Sequence, residues 1–209
     1  MTFGEIQTRV ADYLNRNDLT SQIQDFIKLA QKKIARKYNL KYMKNYTSGT
    51  LTSGSAYLTI PTLYKEIVSL FVTSSSRFYQ INKEEHPYSL SIYPYLTDQK
   101  GLPKIVSTDE PNSRFVFRPT PDSNYAYDLW YYKYSTELSS SSDTNWLTNN
   151  AWEVLIYMSL VEAEPFLVND SRIKTWIGMA EFTMDELVKS ELDEHLNGSP
   201  QRIKSDYVV

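Results

Sequence analysis

The spacing of apolar residues changes twice along this chain, and this constrains the fold more than any other feature. Both end segments have helical spacing, which predicts helices over about 3–15, 21–39, 150–163 and 171–194. Between them, short alternating and β-branched runs separated by Gly, Pro and Ser predict about five to seven strands over roughly 45–136. The predicted fold is therefore α+β, with a helical bundle built from both chain ends around an inserted antiparallel β-rich domain.

The same change of pattern divides the chain into three predicted parts. The helical domain is discontinuous and takes residues 1–44 and 145–197. Residues 45–144 form the β-rich domain with its polar linker, and residues 198–209 form an extended C-terminal tail. A chain of 209 residues can bury sizeable cores without disulfides or a structural metal.

Three predicted helix starts carry a capping residue followed three positions later by Glu or Gln. In this pattern the first side chain accepts a hydrogen bond from the helix backbone, and the second reaches back to the backbone of the cap. The pairs are Thr2–Glu5, Ser21–Gln24 and Asn150–Glu153.

Composition excludes several function classes. The absence of cysteine rules out disulfides, thiolate catalysis and thiolate zinc sites. A net charge of −3 gives no overall attraction to nucleic acid or membrane. No apolar run approaches the roughly 20 residues that span a bilayer, and the opening MTFGEIQTRV lacks the apolar core of a signal peptide. We therefore expect no membrane association.

Two carboxylates, Glu162 and Glu164, interrupt the apolar run LIYMSLVEAEPFLVND. Residues two apart on a helix point about 200° away from each other, so these groups do not converge on one bond. We interpret the run as a core or interface helix that turns at Pro165, with each carboxylate free to meet a cation. The alternative is a cell-wall glycosidase that uses Glu162 or Glu164 with a second, unidentified carboxylate across a cleft.

The second predicted helix carries a run of cations with no acid after Asp25. Such a stripe can contact phosphates, or it can be a solvated helix face. The residues are Lys28, Lys32, Lys33, Arg36 and Lys37.

No other motif predicts chemistry. His86 and His195 are far apart, and neither has a second histidine at metal-ligand spacing. Phosphate-binding loops, dinucleotide glycine patterns and serine nucleophile motifs are missing. We predict no catalytic residue, no cofactor and no metal ion. A third hypothesis, a glycan- or nucleic-acid-binding β module, rests on the tyrosine-rich run 125–134.

The last residues alternate in the manner of a strand, IKSDYVV, and have no partner within their own segment. Such a segment can add to the sheet of another chain, where backbone hydrogen bonds give affinity and alternate side chains give specificity.

Four blocks of the sequence follow one another over roughly residues 2–195. They are TFGEIQTRVADYLNRNDLTSQIQDFIKLAQKKIARKYNL, TLTSGSAYLTIPTLYKEIVSL, FRPTPDSNYAYDLWYYKYSTEL and TNWLTNNAWEVLIYMSLVEAEPFLVNDSRIKTW. In their order and spacing, and with no single signature motif, these blocks are similar to tailed-bacteriophage head-to-tail adaptor (connector ring) proteins of the podovirus type.

The resemblance implies a structural protein, not an enzyme, that assembles as a dodecameric ring beneath the portal protein. It implies tail nozzle or fibre proteins as further partners, and double-stranded DNA that passes through the channel without sequence-specific binding. If the second predicted helix lines that channel, Lys32 and Arg36 lie near the DNA, and if it faces a neighbouring subunit, they pair with acids there. The chain would be made in the cytoplasm of the bacterial host and reside at the head–tail junction of the virion. It also implies a C-terminal segment that docks on the portal, here through Ile203, Tyr207, Val208 and Val209.

Overall fold

The structure, a computed structural model, describes residues 1–94, 99–168 and 170–197, without the side chains of residues 170 and 192–197. It divides into two compact units. The helical unit comprises Met1–Tyr42 and the chain from Ser135 onward, and the β unit comprises Met43–Tyr134. Helices from both chain ends and sheets from the middle confirm the predicted α+β fold class.

Six α-helices and eight strands lie in the described residues. The helices are α1 (Phe3–Leu14), α2 (Thr20–Lys37), α3 (His86–Ile92), α4 (Trp146–Asn150), α5 (Trp152–Phe166) and α6 (Ile173–Asn197). The strands are β1 (Lys44–Leu51), β2 (Tyr57–Thr59), β3 (Tyr64–Ser74), β4 (Arg77–Gln80), β5 (Asn82–Lys83), β6 (Ile105–Asp109), β7 (Arg114–Arg118) and β8 (Tyr125–Lys133).

The first capping box is confirmed and the second is wrong. Thr2 and Glu5 exchange the two expected hydrogen bonds at the start of α1. Helix α2 begins at Thr20, one residue before the predicted cap, and Leu19 precedes it without a capping side chain. Ser21 therefore lies inside the first turn, where its hydroxyl donates to Gln22 Oε1 instead of accepting from the backbone.

The third predicted helix is two helices, so the predicted start at Asn150 is also wrong. Asn145 caps α4 through a reciprocal pair of bonds with Thr148, one turn earlier than predicted. Ala151, with φ −145° and ψ 36°, separates α4 from α5. Asn150 ends α4 and donates its side-chain amide to the carbonyl of Trp146.

Helix α5 is the centre of the helical unit, because it packs against α1, α2, α4 and α6. Its consecutive residues Val154, Leu155 and Ile156 are all buried, so that apolar side chains leave the helix in several directions. Burying apolar surface on several sides supplies most of the driving force for this bundle.

The polar linker, residues 135–144, lies in the helical unit. It was predicted as part of the β-rich domain. Gln31 of α2 donates to the carbonyl of Thr136, and the Asp143 carboxylate accepts the backbone N–H groups of Ser139 and Ser140. Those two N–H groups hold the pKa of Asp143 below its usual value. Carbonyls of this loop also accept the first N–H groups of α1, which explains why the segment joins the helices.

The β unit contains two four-stranded sheets that share one hydrophobic core. The first sheet has the order β1-β8-β3-β4, and the second has the order β2-β7-β6-β5. All strand pairs are antiparallel except β5–β6. Leu70 and Leu129 of the first sheet are buried with Phe115 and Phe117 of the second.

The predicted strands are present, but the described residues form eight strands where five to seven were predicted. The run around Asp109 forms the predicted hairpin β6–β7, closed by a 3₁₀ turn at Glu110–Asn112. The alternating run AYDLWYYKY forms most of β8. Eight strands exceed the predicted maximum because β2 and β5 have only three and two residues, too few for an alternating pattern.

Phe117→Ala should destabilise the β unit by about 3–5 kcal/mol, because Phe117 is fully buried and its truncation leaves a cavity. Phe78→Ala is the matched control: Phe78 is 70% exposed, so the expected change is within about 0.5 kcal/mol. Denaturant unfolding of the full chain measures both. Equal effects of the two substitutions would contradict the assigned core.

Candidate functional site

The two carboxylates of α5 have different partners. Glu162 Oε1 lies 2.5 Å from Lys33 Nζ of α2. The side chain of Lys33 remains about half exposed, so solvent screens this ion pair. The contact joins α5 to α2, on the side that the helical spacing assigns to Glu162.

Glu164 is fully buried and faces the beginning of α6. Its Oε1 accepts a hydrogen bond of 2.8 Å from Trp176 Nε1 and lies 3.0 Å from Arg172 Nε in an ion pair. Glu164 Oε2 is buried without a hydrogen-bond partner. The Trp176 ring stacks on Tyr157 with ring centroids 6.2 Å apart and meets Tyr13 edge-on at 5.8 Å.

The positions of Glu162 and Glu164 favour a structural role for these carboxylates over a catalytic one. The prediction that the two carboxylates lie on different faces is confirmed, because each contacts a different helix and a different cation. A fully buried Glu164 cannot reach a polysaccharide, and Glu162 is occupied by Lys33. The pair therefore lacks the facing, accessible arrangement that glycoside hydrolysis needs.

Several of the α2 cations also contact acids of the same chain. Lys32 Nζ lies 3.4 Å from Glu137, and Lys37 Nζ lies 3.6 Å from Glu181 of α6. The pKa of Lys37 is raised, chiefly by a hydrogen bond with Tyr38, with a smaller contribution from Glu181. Lys28 is partly exposed and Arg36 is exposed. The stripe therefore carries less net positive charge than its sequence indicates.

His86 lies beside a cavity of about 530 Å³ in the β unit, lined also by Tyr64, Lys83 and Glu110. His86 Nδ1 lies 2.9 Å from Ser107 Oγ, which in turn is 3.1 Å from Ser89 Oγ. Both serines are fully buried, so neither hydroxyl can attack a substrate. The cluster fixes α3 against β6.

In the part of the chain that the structure describes, no group of three or more acidic or histidine side chains could hold a metal ion. Within those same residues, no helix has the length and apolar character of a membrane span. The side chain of His195 lies outside the description, as do the predicted portal-docking residues Ile203, Tyr207, Val208 and Val209.

The outer face of the first sheet carries aromatic side chains that sequence reasoning missed. Tyr46 of β1 lies opposite Trp130 of β8, with ring centroids 5.0 Å apart, and Phe71 of β3 meets Trp130 at 5.8 Å. Phe78 of β4 lies on the same face, opposite Thr73. Alternation places each residue on a face, but only the strand pairing shows that they meet. We call Tyr46, Phe71, Phe78 and Trp130 the aromatic face.

Glu164→Gln should destabilise the helical unit by about 1.5–3 kcal/mol, because a buried ion pair and a charge-assisted hydrogen bond are weakened. Glu162→Gln, two residues away, should cost at most about 1 kcal/mol because its lysine partner is half exposed. Thermal and denaturant unfolding of the two variants measure the difference. A larger loss at position 162 than at 164 would contradict the assigned partners.

The sequence matches the family model of the SU10 adaptor protein over residues 1–204. A search of curated proteins finds no match. The family match confirms the resemblance to phage head-to-tail adaptors that the four sequence blocks indicated. The chain belongs to the SU10 adaptor protein family.

Proposed function

We propose that this chain is a structural head-to-tail adaptor that forms a ring between the portal and the tail and surrounds the DNA exit channel. The observation that carries the proposal is the family match over residues 1–204, which includes both structural units. The buried or ion-paired state of the two α5 carboxylates supports a structural role over a catalytic one.

In this proposal a dodecameric ring forms at the head–tail junction of the virion, from protein made in the host cytoplasm. The helical unit builds the ring wall, and the β unit contacts tail nozzle or fibre proteins. The aromatic side chains of the β unit support a contact role, because aromatic residues are enriched in protein interfaces.

Double-stranded DNA passes through the ring without sequence-specific binding. Each phosphate contact by a lysine or arginine adds affinity and would hinder sliding. The cations of α2 line the channel or face a neighbouring subunit, and Lys32, Lys33 and Lys37 each have an acid within 4 Å in their own chain. Such pairing lowers the attraction for phosphate and favours passage.

The C-terminal residues 198–209 dock on the portal. In a strand, Ile203, Ser205, Tyr207 and Val209 share one face and Lys204, Asp206 and Val208 lie on the other. This pattern, with three apolar residues on one face, fits a strand that is added to a sheet of the partner. In that geometry one set of side chains enters pockets of the portal, while the intervening residues point away. Val208 adds apolar surface at the end of the chain.

Deletion of residues 199–209 should abolish mounting of the protein on purified portal rings while leaving the unfolding temperature unchanged. A sharper variant replaces Ile203, Tyr207 and Val209 by Ser, and its matched control changes only the intervening Lys204 and Asp206 to Ala. Electron microscopy of the mixtures counts occupied portals. Unchanged occupancy after the deletion would overturn the docking role.

A second candidate function rests on the aromatic face: binding of a glycan by the β unit. The Tyr46 and Trp130 rings, with centroids 5.0 Å apart and planes tilted by 47°, offer ring faces on which a sugar can stack, and Phe71 meets Trp130 edge-on. Asp128 lies on the same face and accepts a hydrogen bond of 2.5 Å from the Tyr46 hydroxyl, so a carboxylate is fixed beside the rings. That negative charge opposes phosphate and favours a neutral sugar over a nucleic acid.

Trp130→Ala should reduce glycan binding by at least about fivefold if these rings are used, taking the roughly 1–3 kcal/mol by which a nucleobase stacks on one aromatic ring as the guide. The full chain and the variant are tested on a glycan array and against single-stranded DNA. Tyr88→Ala, an exposed aromatic residue outside the face, is the control. Absence of glycan binding by the wild-type protein would remove this candidate.

A further inference from the structure

Helix α6 has apolar side chains on two opposite sides. One side packs in the core, where Ala180 and Met184 are buried. On the other side, Met179 and Phe182 are 44% and 66% exposed. A helix that is apolar on both sides usually has a partner on each, and exposed apolar clusters mark interaction sites.

The exposed side of α6 forms one continuous stripe. Positions separated by four, seven and eleven residues lie within about 60° around a helix, nearly opposite the buried positions. We call this stripe the back of α6. Its residues, all exposed, are Thr175, Met179, Phe182 and Glu186, and the exposed Lys189 continues the stripe after Glu186.

Helix α2 has a corresponding stripe opposite its own buried side, which we call the back of α2. Its central residue, Leu29, is 47% exposed. An acid precedes Leu29 along the helix and two cations follow it. The residues, all exposed, are Asp25, Leu29, Lys32 and Arg36.

The charges on the back of α2 and on the back of α6 are complementary only when the two helices run in the same direction. Parallel packing of Leu29 against Met179 and Phe182 brings Glu186 toward Lys32, which also lies 3.4 Å from Glu137 of its own chain, and toward Arg36. Lys189 then lies past Arg36, near the end of α2. The same register brings Lys174, which flanks the back of α6, toward Asp25. Antiparallel packing would place Glu186 beside Asp25 and lose both attractions. Charge order therefore selects parallel packing.

In a ring of identical subunits, α6 of one subunit and α2 of the next can pack in parallel. Within one helical unit α2 and α6 already run parallel. Lys37 near the end of α2 contacts Glu181, and the Lys41 N–H, just beyond α2, donates to Glu191 further along α6. Rotation about an axis along these helices does not reverse them. A ring also needs two different surfaces on each subunit, because its contacts are heterologous.

We propose that the back of α6 in one copy packs in parallel on the back of α2 in the next copy of this chain. This inference rests on the proposed ring and identifies its subunit contact. Leu29, Met179 and Phe182 form the apolar centre of the contact, and the charges at each end fix its direction and register.

Cysteine cross-linking tests the contact directly, because the natural chain contains no cysteine and gives no background. The double variant Leu29→Cys, Phe182→Cys is mixed with purified portal rings and treated with a short bismaleimide. We expect a ladder of covalent oligomers in denaturing gels and no ladder from either single variant. Leu29→Cys with Val188→Cys is the matched control, because Val188 is exposed on another side of α6.

A charge exchange provides an independent readout. Glu186→Lys and Arg36→Glu should each reduce ring occupancy on portals, and the double variant should restore it. Arg36 is used here because Lys32 also lies 3.4 Å from Glu137 of its own chain. Circular dichroism and the unfolding temperature show whether each variant is folded.

Rings that form while the 29–182 pair gives no ladder would overturn the contact and leave the proposed function intact. Dimers from a single-cysteine variant would also overturn it, since they would show a symmetric contact. A ladder from concentrated protein that never mounts on portals would support the contact and contradict the proposed function. Loss of the ladder, the rings and portal mounting together would overturn both.

Discussion

The helical unit depends on covering α5, because apolar side chains leave this helix in several directions and one neighbour cannot bury them all. Helices α1 and α2 come from one chain end and α6 from the other, with the whole β unit between them in sequence. The unit also fixes the two points where the chain leaves and returns. Tyr42 stacks on Trp146, and Gln31 holds the carbonyl of Thr136. An insertion is tolerated because both of its ends are anchored in the helical unit.

Because other helices cover α5 on several sides, a carboxylate on α5 is largely removed from water. A buried charge is costly unless it is paired, so Glu162 and Glu164 must each find a cation or a hydrogen-bond donor among the covering helices. Their angular separation sends one to α2 and the other to Arg172 and Trp176 at the start of α6. The acidic pair therefore joins three helices, and this structural role accounts for its position without chemistry.

The sequence predicts what depends on local periodicity and not what depends on distant pairing. The stripes of α1, α2 and α6, the Thr2–Glu5 cap and the β6–β7 hairpin follow from spacing within one segment. The start of α4 was missed because Asn145 and Thr148 cap it one turn before the equally acceptable Asn150 signal. Other contacts join different elements of the fold, such as those of Glu162 and Glu164 with their partners and of Tyr46 with Trp130. A single sequence does not show which residues of different elements meet in space.

The fate of the α2 cations links the stability of the fold to the proposed passage of DNA. Lys33 and Lys37 lie toward α5 and α6, where Glu162 and Glu181 neutralise them. Lys32 and Arg36 lie on the back of α2, where the proposed subunit contact would cover them with Glu186 of the next copy. A helix that reads as strongly basic in the sequence would then offer few cations to a phosphate backbone. The acid–base pairs that hold the helices together would also weaken the attraction between these cations and DNA phosphates, which would otherwise hinder sliding of the DNA.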